Sequence, residues 1–127
     1  MNSRQPIPLQ VVFRHLDTSE ALEARIREKV DQLGQFYPSI DSCRVVVEQL
    51  HQRHHLGQHF RVLIDLKVPG HTLIADREHD QHPAYTDVHV ALRDAFKAMR
   101  RQLEDLLRHQ QGHTKHHAQK PHGHITE

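Results

Sequence analysis

A chain of 127 residues has room for one folded domain around a single core, with a short tail. Its hydrophobic share of 36% is low for a fully packed domain, so part of the chain is expected to stay outside the core. A formal net charge of +1 and an isoelectric point near 8.1 exclude binding to nucleic acid by bulk charge alone, leaving only charge segregated onto one surface.

In chain order, residues 7–14 alternate, with Leu9, Val11 and Phe13 on one side. This predicts a first strand, with Pro8 tolerable only near its start or on an edge. Asp17, Thr18 and Ser19 each suit a helix N-cap, and Glu20 complements the positive end of the helix dipole. Leu22, Ile26, Val30 and Leu33 then form the buried stripe of a first helix, which Gly34 can end and Pro38 cannot continue. Residues 42–50 read as a second strand with Cys43, Val45 and Val47 on one face. Residues 51–58, HQRHHLGQ, are a polar loop. Phe60, Val62, Ile64, Leu66 and Val68 alternate strictly in a third strand, whose other side (His59, Arg61, Leu63, Asp65, Lys67) is mostly polar. Pro69-Gly70 predicts a tight reversal into a fourth strand beginning at residues 72–76, followed by a polar loop over 77–86.

Residues 87–109, DVHVALRDAFKAMRRQLEDLLRH, predict a long amphipathic helix capped by Thr86 or Asp87. Val88, Leu92, Ala95, Phe96, Met99, Leu103, Leu106 and Leu107 recur at helical spacing as one apolar stripe. At about 100° per residue, Arg93, Lys97, Arg100, Arg101 and Arg108 fall roughly opposite it. Glu104 lies inside this basic arc, with Asp94 and Asp105 at its edge, and a merely solvated face is the commoner outcome for such an arc. Residues 110–127 hold little that can build a core and predict a disordered, His-rich tail, so the folded domain is expected to span 1–109.

The order β-α-β-β-β-α predicts an α+β fold of two layers, a four-stranded sheet with both helices packed on one face. The first two strands, joined through a helix, are parallel if adjacent, and the short later connections favour antiparallel pairing. Arg44, Glu48, Arg61, Asp65 and Lys67 are left on the open face. This topology is close to the double-stranded-RNA-binding fold with one strand added, an analogy of fold and not of site.

Catalysis has little support: there is no Gly-rich phosphate loop, nucleophile elbow or Walker lysine. The lone Cys43 excludes an internal disulfide, and its apolar run suits a buried small hydrophobe. The first ten residues hold no apolar run of a signal peptide, and nothing approaches the ~20 apolar residues of a membrane span. A soluble, cytoplasmic protein without cofactor, membrane partner or small-molecule substrate is therefore expected. Two binding readings stay open. His51, His54, His55 and His59 crowd one loop and offer imidazole ligands for zinc, copper or nickel, although the spacing matches no zinc-finger pattern. Alternatively, Arg93, Lys97, Arg100, Arg101 and Arg108 follow a phosphate backbone together with Arg25 and Lys29, which share one flank of the first helix. The 15 histidines are the side chains whose free imidazole changes charge nearest physiological pH, and they offer a pH-dependent reserve of positive charge.

SEALEARIREKVDQLGQFY, the VVVE strand, the RVLIDLKVPG hairpin and DVHVALRDAFKAMRRQLED together resemble the ribosome hibernation-promoting factor family. That family includes ribosome-associated inhibitor A and is also known as sigma-54 modulation protein. The resemblance covers roughly residues 7–109 in the family's order. It implies binding to ribosomal RNA of the small subunit, where messenger and transfer RNA would lie, and inhibition of translation in stress or stationary phase. Lys29 and Arg101 match basic family positions; Arg25, Arg93, Lys97, Arg100 and Arg108 join them by position on the helices. Glu23, Gln32 and Asp105 stand where short members tend to carry Lys or Arg, which implies a less cationic surface. Pro121-His122-Gly123 resembles a linker of longer members, so a natural short form and a fragment are both open.

Overall fold

The computed structural model describes residues 6–50, 59–78 and 87–119. Ser42 to Leu50 forms strand β2, flanked by β1 (Leu9–Arg14) and β3 (His59–Val68), with β4 (His71–Glu78) outermost. Helix α1 (Glu20–Phe36) connects β1 to β2, and α2 (Val88–Gln119) follows β4. The sheet order is β1-β2-β3-β4. β1 runs parallel to β2, as a helical crossover requires, and the two later pairs are antiparallel. This is the expected β-α-β-β-β-α arrangement.

Register explains why the strict alternation in β3 works as a core signal. Val45 pairs with Ile64 and Val47 with Val62, while Phe13 pairs with Val47 across the parallel ladder. Every second residue therefore points to the helices. Ile26, Val30, Leu92, Ala95, Met99 and Leu103 come down from α1 and α2, and all six are fully buried in the same cluster. On the open face Arg61 joins three strands, reaching Glu48 on β2 at 3.6 Å and Asp76 on β4 at 2.8 Å. Such half-exposed pairs contribute modestly to stability. The exposed Ile74 stands on this face.

Local chemistry fixes most of the boundaries. The Ser19 hydroxyl accepts from the Leu22 N–H at 3.1 Å and caps α1. Asp87 opens α2, its carboxylate accepting from the His89 N–H at 2.9 Å; the other cap candidate, Thr86, lies outside the described residues. Gly70, at φ 80°, fits the third position of the Val68–His71 turn, in which Pro69 is second. His15, at φ 62°, makes the sharp exit from β1.

Four boundaries differ from expectation. Ile7 precedes β1 instead of starting it, because Pro8 has no N–H for the ladder; the Pro8 carbonyl still accepts from Cys43 at 2.9 Å. Gly34 does not end α1. The helix continues to Phe36, and Tyr37 closes it with an N–H bond to the Leu33 carbonyl at 2.8 Å. Gly34 is there for closeness: a Cβ on it would stand 2.7 Å from Ile7 Cδ1. Arg77, expected in a loop, belongs to β4 and pairs with Val62. Finally, α2 does not stop at His109 but runs on to Gln119, where the polar composition had suggested a disordered tail from residue 110. The favourable helix propensities of Gln, Lys and Ala outweigh a single Gly112 there. The predicted loop at 51–58, most of that at 77–86 and residues 120–127 lie outside the described residues.

Candidate nucleic-acid interface

Arg25, Lys29, Gln32 and Phe36 recur at steps of four, three and four, so they form one row along the flank of the α1 stripe. Arg93, Lys97, Arg100 and Glu104 form the corresponding row on α2, with Arg101 beside it. Packing both stripes onto one sheet face turns these rows toward each other. Lys29 feels the charge of Arg93, and seven residues further along each helix Phe36 meets Arg100. The helices therefore run in the same direction with matched spacing.

Between them lies an open groove of about 320 Å³. Leu33 and Phe96, both buried, form its floor. Lys29 and Gln32 line one side, and Arg93, Lys97, Arg100, Arg101 and Glu104 line the other. Five of the seven predicted basic residues are thus brought to one groove. Arg25 is exposed beside it and acts on Lys29 through its charge. Arg108 does not line the groove and is paired with Asp105 on its own helix.

The cations are not equivalent. Arg93 is tied to Asp94 at 3.2 Å, and Arg100 Nε donates to Glu104 at 3.2 Å. Arg100 also sits over the Phe36 ring, its guanidinium carbon 3.9 Å from the centroid. Lys29, Lys97 and Arg101 form no ion pair among the described residues. Partial burial holds the Lys29 ammonium below its ordinary pKa; Arg25 adds to this, Glu28 opposes it and Arg93 adds a little more. A cation crowded by other cations against an apolar floor is an arrangement that an incoming anion relieves. Sequence reasoning did not single out Phe36, because the helix was expected to end at Gly34.

The alternative histidine cluster receives no geometry. His51, His54 and His55 lie outside the described residues. His59 is buried at the start of β3, and neither ring nitrogen has a hydrogen-bond partner among the described residues. Among those residues no group of three or more His, Cys, Asp or Glu is placed to hold a metal ion. Nor is any helix there long and apolar enough to cross a membrane.

Solved structures that share this fold include the following two. A ribosomal subunit interface protein from Coxiella burnetii is 17% identical, with a TM-score of 0.64 over 79% of this chain and 97% of its own. The N-terminal domain of Protein Y from Thermus thermophilus is 16% identical, with a TM-score of 0.57 over 80% of this chain and 99% of its own. No curated protein matches the chain. Residues 9–111, from the first strand to just past the groove, match the family model for sigma 54 modulation protein / S30EA ribosomal protein, and the chain belongs to that family of ribosome-associated modulation proteins.

Proposed function

We propose that this protein is a translation inhibitor and hibernation factor of the cytoplasm, acting in stress or stationary phase. It binds the small ribosomal subunit in the channel for messenger and transfer RNA, and the α1–α2 groove meets ribosomal RNA. The observation that carries the reading is the convergence of Lys29, Lys97 and Arg101, none of them ion-paired among the described residues, on one groove. A net charge of only +1 makes that segregation informative, because bulk attraction to RNA is weak. Cations on a rigid two-helix surface fix position and orientation on a phosphate backbone without reading sequence. Blocking a channel needs no more than that. Family membership supports the ribosome as the target, and the family is one of binding factors and not an enzyme class.

Cosedimentation of purified protein with separated small and large subunits, followed by translation in vitro, tests the reading. Retention with small subunits and a dose-dependent fall in translation are expected. Retention with large subunits alone, or full translation at saturating protein, would overturn it.

A further inference from the structure

We infer that the groove receives an unpaired nucleotide, with its base stacked on Arg100 and its phosphate held by Lys29, Lys97 and Arg101. The inference rests on the RNA-binding reading above and adds which form of RNA enters the groove.

Size is the first reason. About 320 Å³ is at the low end of pockets that hold small ligands, which matches the size of one nucleotide. The second is the division of labour among the cations. Arg100 is the groove cation least suited to phosphate: Glu104 occupies its Nε and would repel a second anion, and Phe36 covers one side. The same two contacts hold its guanidinium as a fixed plane, and the side chain, 49% exposed, lines the groove. A planar guanidinium backed by an aromatic ring stacks a base on its free face, as unpaired RNA bases commonly require. The third reason is the buried floor of Leu33 and Phe96, which offers a phosphate nothing but suits the apolar surface of a nucleoside. The chain is poor in aromatic residues, with 4 Phe, 2 Tyr and no Trp, so an Arg–Phe pair takes the place of the exposed aromatic platform usual in single-strand binders.

Fluorescence anisotropy with the full chain tests this against three probes of equal length: oligoadenylate, an abasic strand and a duplex. Wild type is expected to bind oligoadenylate about tenfold more tightly than the abasic strand, in line with one stacked base. Arg100→Lys keeps the charge and loses the plane, so the ratio of its affinities for oligoadenylate and the abasic strand should fall toward one. Phe36→Leu, which removes the backing, should reduce the preference in the same direction. Equal affinity of wild type for the two single strands, or an undiminished preference in Arg100→Lys, would overturn the inference. The double variant Lys97→Ala/Arg101→Ala separates this from the underlying reading. If it weakens binding to every probe while wild type shows no base preference, stacking fails and the phosphate groove stands. If it binds all probes as wild type does, the groove reading fails as well.

Discussion

The Gln102 side-chain amide donates to the Ile74 backbone carbonyl across 2.6 Å, tying α2 to the edge strand β4. An edge strand presents unpaired backbone groups along its outer side, and this bond occupies one of them. It also fixes the roll of α2 about its axis. Gln102 and Leu103 face the sheet, so the neighbouring Arg101 and the preceding Arg100 and Lys97 are turned to the groove.

Gln102→Ala should therefore lower stability by about 1 kcal/mol, the net value of a typical hydrogen bond. Urea denaturation measures it as a lower midpoint with an unchanged slope. A variant as stable as wild type would mean that water replaces the amide without loss and that the bond does not hold the helix.

Gly34 and Ile7 should behave as a coupled pair. A Cβ at Gly34 meets Ile7 Cδ1 at 2.7 Å, and Ile7→Val deletes that atom. Gly34→Ala alone trades a gain of up to about 1 kcal/mol in helix propensity against overpacking. In the Ile7→Val background only the gain remains. A double-mutant cycle by thermal or urea unfolding should give a coupling of at least about 0.5 kcal/mol in favour of the double variant. Strict additivity would contradict the close approach.

Lys29 should show stability and binding pulling apart. Its charge is disfavoured by burial first and by Arg25 next, so Lys29→Gln removes a cation that the folded protein tolerates poorly. Unfolding free energy near pH 7 should stay level or rise. Affinity for the small subunit should fall by about tenfold for one lost charge-assisted contact. A variant that loses stability and keeps affinity would reverse the assignment.

Cys43 sets a pH dependence at the alkaline end. Burial, helped by the nearby Asp65 carboxylate and opposed by Arg27, pushes its thiol from 9.0 up to about 12. The unfolded chain releases this proton near 9 while the folded chain keeps it, so the contribution is complete below about pH 9 and is lost as pH rises toward 12. Wild type should therefore lose stability more steeply than Cys43→Ala between those values in urea titrations at stepped pH. Thiol labelling of the native protein at pH 8 should also be slow. Parallel stability profiles for the two proteins would contradict the buried-thiol assignment.

The fold was legible because its signals are periodic. Phe60 to Val68 alternates without a break, the stripe Leu22, Ile26, Val30 and Leu33 keeps helical spacing, and Ser19 and Asp87 are ordinary caps. The differences lie where one residue type has two physical uses. Gly34 looks like a helix terminator but serves close packing against Ile7, a contact across the fold that no local pattern contains. Residues 110–119 look like a tail by polarity, yet they propagate a helix already nucleated by the core. His15 at φ 62° carries no Gly or Asn to announce its turn. In the groove, spacing alone put Arg25 and Lys29 on one flank of the first helix and Arg93, Lys97, Arg100 and Arg101 on one arc of the second, without showing how the two sets meet. It did not show that Arg108 is taken up by Asp105 on its own helix, away from the groove, or that Phe36 lies under Arg100, which depends on how the two helices meet.

The most direct measurement is the salt dependence of small-subunit binding for wild type and for Lys97→Ala/Arg101→Ala. Each phosphate contact releases counterions and steepens the dependence of affinity on salt, so removing two should reduce the slope by about 2 and weaken binding most at low salt. That result, with thermal unfolding unchanged, is the one expected if these two cations meet ribosomal phosphate. Identical slopes for the two proteins across the series would contradict the groove as the interface.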